Sequence, residues 1–148
     1  MIEGKTGMSV HRIRLAGPWE SLSHENRMTS TCGARQPCQL PYEVTKSDGE
    51  DLVMSLFRRF HRPTGIGEFT CVCVGFEVHN LTLEVLVNDG VTEVVGASAA
   101  ARVNDANEIV RTDISKLLKS FNELQIRLSC IDRQFAGRVV SVWLEIAE

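Results

Sequence analysis

Leu81-Thr82-Leu83-Glu84-Val85-Leu86-Val87-Asn88-Asp89-Gly90-Val91 is the stretch that decides the fold. Leu81, Leu83, Val85 and Val87 face one way and Thr82 and Glu84 the other, the period of two that a half-buried strand imposes. Asn88, Asp89 and Gly90 tolerate the backbone of a tight turn, and the apolar run resumes over 91–95. The stretch therefore reads as strand, turn, strand, with Asn88 and Gly90 as structural residues.

The same period recurs on both sides. Downstream, Leu124-Gln125-Ile126-Arg127-Leu128 alternates strictly, and so does 140–146. Upstream, 10–15 sets Ile13 and Leu15 against Arg12 and Arg14 and stops at Gly17-Pro18. An apolar run over 52–60 carries Arg58 and Arg59, and 69–78 is rich in Val, Cys and Phe, as in a strand covered on both faces. Residues 21–50, with Gly33, Pro37, Pro41 and Ser47-Asp48-Gly49, read mostly as loop, and so does 97–107. A short strand is expected at 109–111. Asp113 then stands as an N-cap before one or two helical turns over 114–119. Short strands with a single short helical piece predict an all-β fold, an antiparallel β-sandwich or barrel.

A length of 148 residues suits one domain and is too short for a (β/α)₈ barrel, which needs at least about 200. Residues 1–9 are expected to be a loose extension and 10–148 a single β-sandwich domain. The net charge of −3 argues against a general binder of nucleic acid. No apolar stretch approaches the roughly 20 residues of a membrane-spanning helix. The polar start lacks the apolar core of a secretory signal, so the expected compartment is the cytoplasm. Five cysteines, an odd number, do not make a complete disulfide framework.

Several phrases, in order, are similar to one family. Leu15-Ala16-Gly17-Pro18-Trp19-Glu20 resembles the opening L-x-G-x-W of the sugar-binding domain of family 2 glycoside hydrolases, the β-galactosidases and β-glucuronidases. Leu40-Pro41-Tyr42 stands where that family has a proline-aromatic segment. Phe57-Arg58-Arg59-Phe60-His61-Arg62-Pro63 resembles its Y-R-R-x-F-x-x-P strand, and Val74-Gly75-Phe76-Glu77-Val78 its F-E-G-V strand. Leu86-Val87-Asn88-Asp89-Gly90 is similar to its W-V-N-G hairpin, with Asp89 inserted and Leu86 in place of the aromatic. Asp113-Ile114-Ser115-Lys116-Leu117-Leu118, with Asn122-Glu123-Leu124, resembles D-I-T-x-L-L and N-x-L, and 140–146 fits the closing strand. The resemblance runs from about Val10 to the C-terminus. It implies a galactose-binding-like jelly roll, two antiparallel sheets face to face, without the catalytic barrel that carries the family's chemistry.

The basic cluster Arg58, Arg59, His61 and Arg62 stands out. If Leu56 and Phe60 lie in the core, Arg58 shares their face and needs a carboxylate partner, for which Glu77 and Asp113 are the candidates. The cluster reads either as such an internal ion pair with a solvated strand end, or as an anion or sugar-acid site. Trp19, after the Gly-Pro break, is the candidate for stacking on a sugar, with Arg59 and His61 as further binding residues, whereas Trp143 reads as a core anchor. Neither the C-x-C of Cys71 and Cys73 nor the C-x₅-C of Cys32 and Cys38 has structural-zinc spacing, so no metal and no other cofactor is expected. No activated nucleophile, HExxH or phosphate-cradling loop is present, and no catalytic residue is assigned. The expected function is thus a non-catalytic binding module directed at carbohydrate. The alternative on the same scaffold is a protein–protein interaction or assembly module.

Overall fold

In the computed structural model the described residues are 10–23, 35–44, 54–92, 94–96, 107–130 and 135–147. Their strands are β1 (Val10–Arg14), β2 (Trp19–Ser23), β3 (Gln36–Cys38), β4 (Tyr42–Val44), β5 (Met54–His61) and β6 (Cys71–His79). They continue with β7 (Leu81–Val87), β8 (Gly90–Val91), β9 (Val94–Gly96), β10 (Glu108–Asp113), β11 (Phe121–Cys130) and β12 (Gly137–Ala147). One sheet runs β1-β12-β6-β10-β9, with β4 also on β12. The other runs β3-β2-β5-β11-β7-β8. All the pairings are antiparallel. The chain is an antiparallel β-sandwich, the architecture that the jelly-roll resemblance implies.

Alternation builds the core. Val72, Val74, Phe76 and Val78 of β6 meet Val85 and Val87 of β7 and Leu124, Ile126 and Leu128 of β11 in one buried cluster. Thr82 and Glu84 lie exposed on the opposite face of β7, as the period of two requires. On β12 the alternation is broken once, by a register shift between Val139 and Ser141. The extra residue of that bulge lets both Val139 and Val142 enter the core, which an unbroken period would forbid.

Several expectations are corrected here. Within 21–50 the described residues contain three strands, β2 continuing to Ser23 and then β3 and β4. Segments of three residues are too short for a period of two to show. The run over 91–95 is not one return strand: β8 closes the hairpin on β7, whereas β9 pairs β10 in the other sheet. The helical piece after Asp113 shrinks to a 3₁₀ turn, Ser115–Leu117. Asp113 is the last residue of β10 rather than its N-cap, although its Oδ1 accepts the Ser115 N–H at 2.8 Å. Residues 1–9 and most of 97–107 lie outside the described residues. Among the described residues no helix is long and apolar enough to cross a membrane.

The turn at 88–90 is a latch between strands. Asn88 and Asp89 have φ of 53° and 69°. Asn88 Nδ2 donates to the Leu117 carbonyl at 3.0 Å and to Asn122 Oδ1 at 2.9 Å, and Asn88 Oδ1 accepts the Glu123 N–H at 3.0 Å. A Cβ at Gly90 would lie 2.8 Å from Leu117 Cδ2, so a larger residue there requires the Leu117 side chain to shift.

Candidate functional site

A cleft of about 890 Å³ opens between β1 and the end of β5. Its apolar floor comes from inward-facing positions, Leu15, Phe60, Leu144 and Ile146, and its wall carries His11, Arg14, Arg58, Arg59, His61 and Arg62. Four arginines and two histidines thus line it with no carboxylate among the described residues, in a chain whose net charge is −3. Such a concentration of one sign on partly apolar walls attracts anions.

The arginines differ in freedom. Arg58 points inward between Leu56 and Phe60 as expected, but the carboxylate partner is corrected. Its Nε donates to the Ala16 carbonyl at 2.6 Å and its other guanidinium donor to the Arg59 carbonyl. Glu77 and Asp113 lie on the outer face of the other sheet, where Glu77 accepts from Asn107 Nδ2 at 2.9 Å and Asp113 accepts the Ser115 N–H at 2.8 Å. Backbone carbonyls thus replace the ion pair, and burial pulls the guanidinium below its ordinary value. Arg59 is exposed and lies 3.6 Å from Glu123, which is held more closely by Arg35 at 2.8 Å. Among the described residues Arg14 and Arg62 have no acidic partner.

His61 stacks on Phe121, its partner across β5 and β11, with ring centroids 4.5 Å apart and planes tilted by 53°. Phe121 is 72% exposed and lines the cleft. Sequence reading missed it, because only the pairing of β5 with β11 brings it beside the basic cluster. Trp19 does not join the site. It is 1% exposed, with Nε1 donating to the Leu15 carbonyl at 3.0 Å, so neither ring face is open to a sugar.

Trp143 is buried, but on the outer face of its sheet rather than in the core. Its ring occupies the space above Gly75, where a Cβ would approach it to 2.4 Å, and Arg12 covers it at 5.1 Å. Its Nε1 donates to Glu145 at 2.8 Å, and Arg111 and Arg12 also reach that carboxylate, at 3.1 and 3.2 Å. Burial works to raise the Glu145 carboxyl, but the bonds from Trp143 and Arg111 outweigh it and hold it below its usual range.

Farther along the same face Cys71, Cys73 and Asp113 converge. The two Sγ atoms are 3.9 Å apart, and Cys71 Sγ lies 3.5 Å from Asp113 Oδ2. Burial, and then Cys71 beside it, push the Cys73 thiol up to about 12.

No family model matches the chain, and no curated protein matches it by sequence. Several solved structures share its fold. A proposed β-galactosidase from Bacteroides fragilis is 14% identical with a TM-score of 0.64, over 93% of this chain and 23% of that one. An FMN-binding β-glucuronidase from Facaelibacterium prausnitzii L2-6 is 19% identical with a TM-score of 0.64, over 93% and 22%. A β-glycosidase from Bacteroides vulgatus is 14% identical with a TM-score of 0.57, over 92% and 20%. The chain therefore has the fold of a segment of such glycosidases and spans between a fifth and a quarter of their length.

Proposed function

We propose that this chain is a non-catalytic binding module whose ligand is an acidic sugar, held in the cleft between β1 and β5. The observation that carries the reading is the cleft lining itself, four arginines and two histidines with an exposed aromatic and no carboxylate in the lining among the described residues, although Glu123 lies beside Arg59. A guanidinium presents parallel N–H donors that match a carboxylate, and Arg14 and Arg62 are not already engaged by acids. The exposed Phe121 ring offers an apolar face for the C–H-rich side of a pyranose. The fold is shared with chains named for action on galactosides and glucuronides, which supports a sugar ligand.

The test is calorimetric and amide-NMR titration of the full chain with glucuronate and galacturonate against glucose and galactose, at low and high salt. Acidic sugars should bind, weaken as salt rises, and lose affinity in Arg62→Ala and Arg14→Ala. Equal binding of acidic and neutral sugars, or no binding of either, overturns the proposal.

A further inference from the structure

We propose that Cys71, Cys73 and Asp113 form a binding site for a thiophilic divalent cation of the zinc class, on the outer face of the sheet and apart from the basic cleft. Cys71 and Cys73 project from the same face of β6, and Asp113 is brought beside them because β10 pairs β6 with Asp113 opposite Cys73. Their ligand atoms all lie within 4.8 Å of one another.

The two edges that meet at Cys71 fit a tetrahedral ion. Zinc–sulfur bonds of about 2.3 Å and zinc–oxygen bonds of about 2.0–2.2 Å, at the tetrahedral angle, give edges of roughly 3.8 Å between sulfurs and roughly 3.5–3.7 Å from sulfur to oxygen. The corresponding separations are 3.9 and 3.5 Å. The third separation, Cys73 to Asp113, is within 4.8 Å, so side-chain rotation that closes it brings all three groups to bonding distance of one ion.

The surroundings hold the three groups in place. Asp113 Oδ1 is occupied by the Ser115 N–H at 2.8 Å, which orients the carboxylate with Oδ2 toward Cys71. Ser115 Oγ accepts the N–H of Val72, the residue between the two cysteines, at 2.8 Å, and the Ile114 N–H donates to the Val72 carbonyl at 2.9 Å. The turn carrying Asp113 is therefore fastened to the backbone that carries both thiols. Two thiolates and a carboxylate leave a dication with one surplus negative charge, and Lys116, which acts electrostatically on Asp113, offsets it. Both cysteines are half-buried and Asp113 is exposed, so the ion can enter from solvent and its fourth position faces water. On binding, each thiol loses its proton to solvent as its metal–sulfur bond forms.

The test uses the full chain, reduced with a phosphine and stripped of metal. Added Co²⁺ should give one equivalent of a thiolate-to-cobalt charge-transfer band with tetrahedral ligand-field bands, displaced by Zn²⁺. Cys71→Ser and Cys73→Ser should abolish the charge-transfer band, and Asp113→Asn should weaken Co²⁺ at least about tenfold, the lower bound for disturbing a metal's supporting shell. Cys32→Ser, Cys38→Ser and Cys130→Ser should bind as the unmodified chain does. Circular dichroism without metal confirms that each variant is folded, and a Zn²⁺-dependent rise in melting temperature gives a second readout that Cys71→Ser should lose. No charge-transfer band, undiminished binding in Cys71→Ser, Cys73→Ser or Asp113→Asn, or loss of binding in a control cysteine variant overturns the proposal.

Discussion

Replacing Asn88 with alanine removes three hydrogen bonds from one position and leaves a β-carbon in a left-handed backbone. Asn88 Nδ2 serves the Leu117 carbonyl and Asn122 Oδ1, and Asn88 Oδ1 serves the Glu123 N–H, so one side chain ties the β7–β8 turn to the 3₁₀ turn and to β11. All three bonds are part-buried. Asn122 Oδ1 keeps a second donor, the Lys119 N–H at 2.8 Å, whereas the Leu117 carbonyl and the Glu123 N–H have to find water. At about 0.5–1.5 kcal/mol per bond the loss is about 1.5–4.5 kcal/mol. The φ of 53° adds about 1–2 kcal/mol for a residue with a β-carbon and no side-chain amide to stabilise it. Asn88→Ala should therefore destabilise by about 2.5–6.5 kcal/mol, a large part of the roughly 5–15 kcal/mol that holds an ordinary domain together. Asn88→Gly tolerates the backbone and should recover about 1 kcal/mol of that loss. The assay is urea unfolding, in which the midpoint should fall at constant m-value. A loss below about 1 kcal/mol in Asn88→Ala, or no difference between alanine and glycine, refutes the latch.

Three other outcomes follow from the packing. Gly75→Val should cost about 1–3 kcal/mol, because its side chain enters the space of the Trp143 indole, and a red shift of tryptophan fluorescence should accompany the loss in melting temperature. Glu123 is held below its usual range first by the hydrogen bonds of Arg35 and then by the charges of Arg35 and Arg59. Its contribution is full above the ordinary glutamate value of about 4.3 and is lost as pH falls through the lower folded value, amounting to at most about 1 kcal/mol at this part-exposed site; Glu123→Gln should flatten that segment of an acid titration of urea midpoints. Arg58→Met should lower stability by about 1 kcal/mol by removing the donors to the Ala16 and Arg59 carbonyls, which water partly replaces at this exposed strand end, and unchanged urea midpoints would sink that account.

What could be read from the sequence was whatever local periodicity carries. β7, β11 and most of β12 each span enough residues for alternation to name both faces, and Asn88-Asp89 names its own turn through the φ values it adopts. β3 and β4 have three residues each, fewer than two periods, so Pro37 and Pro41 dominated the reading of their surroundings. The break between β8 and β9 was hidden for a related reason: Val91 and Val94 look like one run, and only pairing with different neighbours sends them to different sheets. The Gly-Pro break before Trp19 marks a turn without telling which way the next residue points, so its burial is not legible locally. Its indole turns inward to reach the carbonyl of Leu15, four residues back.

The side chains that matter most for chemistry are the ones local period cannot bring together. The period of two places Arg58 on the inner face but names no partner, and a guanidinium near a strand end has nearer acceptors than any acid in the carbonyls of its own and the adjoining segment. Phe121 and His61 are sixty residues apart and become one aromatic pair only through the register of β11 on β5. Cys71 and Cys73 by themselves lack zinc spacing, and the third ligand atom comes from Asp113, set by the register of β10 on β6. In an antiparallel sandwich a strand donates alternate side chains to each face, and its neighbours supply the rest of any site at positions fixed by hydrogen-bond register rather than by sequence distance. A spacing rule written along one strand therefore sees at most half of such a constellation, and a one-residue slip of β10 on β6 would turn Asp113 to the core and dissolve it.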